Sequence, residues 1–473
     1  VFTAIWRSLT LSNLDLSQWQ DSGYLVRGVG LLQPWRRGSV LLTWGNEVGV
    51  LLLSILFALA PFSTTALIGQ LLVALAGFWL LLMVAERWQD WLTPIHLPVL
   101  LYWAVSAIAT AFSPVRTAAT RGFLTFTLYV LLFAVMAQVL RSTRLRSWLI
   151  GVYLLTALIA STYGLRQWFV GVDALATWVD PESPLAQTTR VYSYLGNPNL
   201  LAAYLVPAVV FSIAAVWVWQ RWTLKVLALT MTLANLTCLV VTFSRGGWIG
   251  LVVALMTLAL LLAYWGSQFL PPFWRTWAIP IALVVMTGLI LMAVLLVGPL
   301  RDRVLSIFLW RQDSSNNFRI NVWMAVLDMI RDRPILGIGP GNRAFNQIYP
   351  LYGQARFTAL SAYSIFLEVL VETGIIGLGC FLWLLLVTFN QAGRQVQVLR
   401  ARAHPELPWL LAAIAAMLGM LAHGLADTVW YRPQIALLWW FAIALIACYS
   451  RLLPPSSTGN PIPTADAPPH LDR

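Results

Sequence analysis

The sequence predicts an all-α integral membrane protein of about twelve transmembrane helices, with a long extracytoplasmic loop that contains an amphipathic helix. Three observations predict it. Apolar residues make up 59% of the chain and charged residues 10%. The mean hydropathy of +0.76 lies far outside the range of soluble domains. Apolar runs of about 20 residues, each long enough to cross a hydrocarbon core of roughly 30 Å, recur along the whole length.

In chain order, residues 1–44 read as a cytoplasmic juxtamembrane segment in which Trp6, Trp19 and Trp35 stand beside Arg7, Arg27, Arg36 and Arg37. They lack the compact apolar core and cleavage site of a signal peptide. A polytopic membrane domain fills 45–453, with spans at 45–60, 64–84, 97–112, 122–140, 147–169, 198–218, 225–243, 246–264, 277–297, 362–389, 408–427 and 434–453. The first and third are short and interrupted by Gly, Ser or Thr. The proline-rich tail, 454–473, is too poor in apolar residues to fold.

The net charge of +12 rests on arginine, since Lys225 is the single lysine. Its scatter among connections excludes a phosphate-tracking stripe, so no nucleic acid partner is expected and the bilayer is the first partner. With an even number of spans both termini share a side. Short segments on that side hold Arg87, Arg141, Arg144, Arg146, Arg221, Lys225, Arg275, Arg394, Arg400, Arg402 and Arg451, against Arg116, Arg121, Arg245 and Arg432 opposite. The bias places both termini in the cytoplasm and the chain in the cytoplasmic (inner) membrane. The two long connections, 170–197 and 298–361, then lie outside. Cys238, Cys380 and Cys448 sit in apolar runs without metal-ligand spacing, so neither a metal nor another cofactor is expected.

Polar chemistry concentrates in the outer loop and the span ends. From Asn317 to Asp332, Ile320, Trp323, Met324, Leu327 and Ile330 recur at helical spacing, with Asn316 or Asn317 as N-cap and Pro334 as terminator. This predicts an amphipathic helix lying on the outer membrane face. GIGPGNRAF, from Gly337, follows it; without the lysine and hydroxyl of a P-loop it reads as a tight turn, or as a ligand-facing anion nest.

TFSRGGWIG sets Arg245 between two apolar runs. It reads either as a snorkelling interfacial arginine or, with Ser244 and the small Gly246 and Gly247, as part of an anion pocket. RVYSYLGNPNLLAAYLVP, from Arg190, starts a span, with Asn197 able to cap and Pro198 suited to the first turn; Asn197 and Asn199 are equally candidates for a site. SAYSIFLEVLVETGIIGLGCFLWLLLVTF carries Glu368 and Glu372 four residues apart, on one helix face at the outer end of a span. His423 and Asp427 are likewise four apart, which gives a structural hydrogen bond or a proton-handling pair.

SRGG at 244–247, GNPNLLAAYL at 196–205, FRINVW with DRPILGIGPGNRAF, and LEVLVETGIIGL at 367–378 together resemble the O-antigen ligase and polymerase superfamily over about 160–430. DSSNNFRINVW, GIGPGN, YPLYGQARFTALSAYS and RVYSYLGNPNLLAAYLVP are similar to its cyanobacterial IctB-like branch, described as inorganic-carbon (bicarbonate) transporters. The superfamily resemblance implies transfer of a glycan from a polyprenyl diphosphate to an acceptor, with arginines on the diphosphate and a histidine in an H-N-x-x-L-x-x-x-x-x-x-G pattern. Arg245 and Arg319 fit the arginines. The histidine position falls on Tyr363 and the asparagine on Ser364, while Leu367 and Gly374 keep the spacing. A phenol does not take up a proton near neutral pH as an imidazole does.

Two readings follow. In the first, favoured by the IctB-like stretches, the protein transports or helps to transport bicarbonate. Arg245, Arg319, Ser244, Asn197 and Asn199 then bind the small anion, and Glu368, Glu372, His423 and Asp427 are available for coupling. In the second it is a membrane glycosyltransferase acting on a lipid-diphosphate-linked sugar. A non-catalytic membrane scaffold is a further alternative.

Overall fold

Long apolar runs must satisfy their backbone polar groups internally, and the chain does so by helix alone; no strand occurs among the described residues. The computed structural model describes residues 2–12, 39–85, 92–172, 190–296, 298, 301, 314–353 and 358–452. Most of the juxtamembrane segment, much of the 170–197 connection and the tail lie outside these. After a short α1 (Phe2–Leu9) come α2 (Gly45–Leu59), α3 (Thr65–Ala85), α4 (His96–Ala111), α5 (Arg116–Val139) and α6 (Thr143–Val170). The second half holds α7 (Pro198–Val218), α8 (Trp222–Val240), α9 (Arg245–Gly266) and α10 (Pro272–Leu296). Two loop helices follow, α11 (Ser314–Asp332) and α12 (Asn342–Ile348), then α13 (Ile365–Ala401), α14 (Leu407–His423) and α15 (Pro433–Cys448). Among the described residues nine helices are long and apolar enough to cross a membrane, and α4, α14 and α15 are shorter apolar helices.

The core is built around α7, whose residues are buried on nearly every face. Small residues let its neighbours close in. A Cβ on Gly419 of α14 would lie 2.7 Å from the Ala254 Cβ and 2.8 Å from the Gly250 carbonyl oxygen of α9. This is the close backbone approach that drives helix association where water supplies no force. At the far end from the loop helices, buried Arg146 pairs with Glu406, donates to the Leu140 carbonyl at 2.9 Å and stacks 4.4 Å over Tyr449. The three cysteines are free and buried.

The loop end differs from the sequence expectation in two respects. Helix α11 does form, but its buried face is Val322, Ala325, Val326 and Met329, while the expected face residues Met324 and Leu327 are exposed. The buried face packs with Ile338, Phe345, Tyr349 and Val371 in a small core of its own. The reason is that the loop folds back on a span. Helix α13 is broken at Gly374, whose φ is +67°, and the segment after α11 fits into the break. There Ile338 N donates to the Val371 carbonyl at 2.9 Å, Gly339 N to Glu372 O at 2.9 Å, and Ile375 N to Pro334 O at 2.8 Å. The second difference concerns His423 and Asp427. Helix α14 stops at His423, so Asp427 lies in the irregular segment 424–432 and the two are not a helical i, i+4 pair.

Candidate functional site

Two helix N-termini open the site. Asn197 caps α7 by accepting from Asn199 N at 2.8 Å, with Pro198 at the first helical position. Ser244 caps α9 by accepting from Gly247 N at 3.1 Å, and Arg245 is the first residue of that helix. The side-chain oxygens of Asn197 and Ser244 therefore set helix starts, and the amide ends they position carry partial positive charge.

Arg190 fastens the two helix starts together. Its Nε donates to the Thr242 carbonyl at 3.1 Å and its guanidinium to Asn199 Oδ1 at 3.3 Å. The Asn199 amide in turn donates to Asp427 Oδ2 at 2.8 Å, and the same oxygen lies 3.8 Å from the Arg319 guanidinium of α11. Buried Arg245 and Arg319 thus gather around Arg190 from separate stretches, with the Asp427 carboxylate beside Arg190 and Arg319. Burial, followed by the charges of Arg245 and Arg319, lowers the Arg190 pKa to about 10, with Asp427 opposing. Arg190 remains a cation at neutral pH, and the lowering expresses the cost of gathering like charges in a dry place.

Tyr363 stands against this cluster. Its ring meets Phe318 edge-on at 5.3 Å, and Trp323 donates to its carbonyl at 3.4 Å. Burial and then Asp427 push its phenol above the ordinary value, with Arg319 opposing, so it is a neutral donor at neutral pH and not a base. Its φ is +50°, a left-handed conformation that costs a non-glycine residue energy. Ser193 and Phe243, at φ +49° and +52°, lie in the two stretches that carry Arg190 and Arg245. Strain of this kind, about 1–3 kcal/mol per residue, persists where the surroundings over-determine the backbone, and it collects at functional sites.

His423 is buried behind the cluster. A Cβ on Gly246 would lie 2.6 Å from its Cδ2, and neither ring nitrogen has a hydrogen-bond partner among the described residues. The hydrogen bond expected between His423 and Asp427 is not formed; Asp427 turns to Asn199 and Arg319 instead.

Glu368 and Glu372 do share a face, as their spacing predicts, but they are anchored to the loop. Glu368 accepts from Ala362 N at 2.6 Å and Glu372 from Gly341 N at 2.7 Å. Both line a cavity of about 500 Å³ between α4, α5, α13, α15 and the GPGNR turn. Segment 424–432 joins the two places, since Asp427 faces the arginines while Thr428, Trp430 and Tyr431 line the cavity. Of the expected anion-site residues, Arg245, Arg319 and Asn199 come together, and Arg190 joins them unforeseen. Its position at the head of RVYSYLGNPN is the one signal that pointed to it.

With this geometry in hand, the comparison with protein families is specific. Residues 230–382 match the family model described as O-Antigen ligase. The matched stretch contains Arg245, Arg319, Tyr363, Glu368, Glu372 and Gly374, and leaves Arg190, Asn199 and Asp427 outside it. No curated protein matches the chain. The similarity to O-antigen ligases thus covers one wall of the site, and α7 and the 424–432 segment complete it.

Proposed function

We propose that the protein transfers a glycan from a polyprenyl-diphosphate carrier to an acceptor hydroxyl, at the outer face of a cytoplasmic membrane that it crosses about twelve times with both termini inside. The observation that carries this reading is the gathering of Arg245 and Arg319 around Arg190, beside the N-termini of α7 and α9, with Asp427 held by Asn199 and approached by Arg319. Three guanidinium groups gather beside two helix N-termini. A diphosphate diester, with two negative charges and oxygens for several paired N–H donors, engages them more fully than bicarbonate, with one charge and three oxygens. The O-Antigen ligase match supports the same side and makes glycan transfer the first reading, ahead of bicarbonate transport. In the transfer reaction the arginines hold the charge that grows on the leaving diphosphate, which is electrostatic stabilisation by preplaced groups.

The test is direct binding of farnesyl diphosphate to the full chain in nanodiscs. Each charge-assisted contact is worth about 1.5–3 kcal/mol, so Arg245→Ala and Arg319→Ala should each weaken binding by about 10-fold to 100-fold with unchanged membrane insertion. Uptake of labelled bicarbonate into proteoliposomes that Arg245→Ala abolishes, without any farnesyl diphosphate binding, would restore the transport reading.

A further inference from the structure

We propose that the cavity beside the arginine cluster is the acceptor site, that it takes a neutral pyranose ring, and that Glu368 receives the proton of the attacking hydroxyl. The inference rests on the glycan-transfer reading and adds to it the acceptor class and the missing base.

The cavity's volume of about 500 Å³ is within the range of small-ligand sites. Its walls are aromatic. Trp430 and Trp439 lie 4.1 Å apart between centroids, Phe381 is 6.0 Å from Trp430, and Phe126 is 6.2 Å from Trp440. Flat aromatic faces suit the C–H face of a pyranose, whose hydroxyls leave round its edge. The lining also carries Glu368, Glu372, Arg121 and Arg343, two formal charges of each sign. That balance fits a neutral polyhydroxyl ligand. A hydrocarbon chain would desolvate four charged groups without offering them partners. Two further lining residues point the same way: the Thr428 hydroxyl and the Trp430 indole N–H are buried without a hydrogen-bond partner among the described residues.

Position assigns the base. Glu368 follows Tyr363 by five residues, and Tyr363 is within electrostatic reach of Glu368 on the cavity side and of Arg319 and Asp427 on the arginine side. One Glu368 oxygen is held by Ala362 N at 2.6 Å, which fixes the carboxylate and leaves the other oxygen for the ligand. In the reaction the acceptor O–H bond breaks and its proton passes to Glu368. The oxygen's electron pair forms the new bond to the anomeric carbon. The anomeric C–O bond to phosphate breaks, and its pair leaves on the diphosphate held by the arginines. Carboxylates do this work at anomeric carbons generally. The ionisable groups around Glu368 are Glu372 on its own helix, Tyr102 on α4, Arg121 and Tyr129 on α5, Arg343 on α12, Tyr363 before α13 and Tyr431 in segment 424–432.

The experiment uses the full chain in nanodiscs of sugar-free lipid. Saturation-transfer difference NMR should show methyl β-glucopyranoside or methyl β-galactopyranoside bound, and Glu372→Gln should weaken that binding at least fivefold. Signals from 1-octanol that Glu372→Gln leaves unchanged, with none from either glycoside, would make the cavity a hydrocarbon pocket and overturn the acceptor site. For the base, Glu368→Gln should lower kcat about 10²-fold to 10⁴-fold and remove the acid limb of the pH–rate profile. An unchanged rate in Glu368→Gln would overturn its role. Farnesyl diphosphate binding, measured in parallel, separates the two ideas. If it binds and the glycosides do not, the acceptor site alone fails; if glycosides bind and it does not, the donor reading fails and the acceptor site stands.

Discussion

Asp427 holds the arginine cluster together, because it is the carboxylate that Asn199 fixes and that Arg319 approaches. Asp427→Asn should cost about 2 kcal/mol, as a charged partner is lost from a buried cluster. Inorganic pyrophosphate should then raise the unfolding temperature of the variant more than that of the parent, because it replaces the missing charge. Thermal unfolding of both proteins with and without pyrophosphate checks this, and an equal shift in the two would mean that the ligand sits elsewhere. Tyr363 offers a second prediction. Histidine is several-fold enriched among non-glycine residues at positive φ, so Tyr363→His should fold at the Tyr363 φ of +50° with stability within about 1 kcal/mol. Added to Glu368→Gln, it should restore part of the lost transfer, with a pH profile shifted toward that of an imidazole. Transfer rates of the double variant across pH 5 to 8 read this directly.

At the scale of elements, the break in α13 ties the span to the outer loop. At Gly374 a Cβ would strike the Ile335 carbonyl, and the φ of +67° disfavours any side chain. Gly374→Ala should therefore cost about 1–3 kcal/mol and release the loop before it unfolds the bundle. Trypsin cleavage at Arg333 and Arg343 should accelerate while the helical signal persists. The glycine that the family pattern keeps at this position has a physical reason, since the bent helix leaves room for the loop backbone that presents Gly341 N to Glu372. In helix α11 the loop core takes a face beside the expected stripe. Ile320, Trp323, Met324, Leu327 and Ile330 form an apolar stripe, yet the residues that reach the loop core are Val322, Val326 and Met329. Several apolar faces were available, and the partner surface selected among them.

For the whole molecule, the arginine cluster, the cavity mouth and the loop helices share one end of the bundle, and the Arg146–Glu406 pair marks the other. The excess of arginines in short segments on the Arg146 side predicts that this end is cytoplasmic. Because the native cysteines are buried, single cysteines can report on it. A membrane-impermeant maleimide applied to intact cells should label Thr358→Cys and spare Arg402→Cys. Labelling only the second would invert the proposed topology and move the site to the cytoplasmic face.

Membrane character and helix positions were legible in the linear sequence because a bilayer core demands long apolar runs with internal hydrogen bonding, a requirement local in sequence. The N-terminal start of α7 was legible too, since Asn197-Pro198 acts through neighbouring backbone groups, whereas Ser244, expected in an anion pocket, caps α9. Arg190 became a site residue only through its bonds to Thr242 and Asn199, 52 and 9 positions away. Asp427 left the helix that spacing implied and entered the cluster 228 positions from Asn199. The cavity required four helices and a turn to meet around Glu368 and Glu372. The sequence by itself determined the solvent in which the chain folds and the local rules of each helix; the tertiary structure alone decided which charges meet, because electrostatic attraction and shared cavities depend on distance in space and not on distance along the chain.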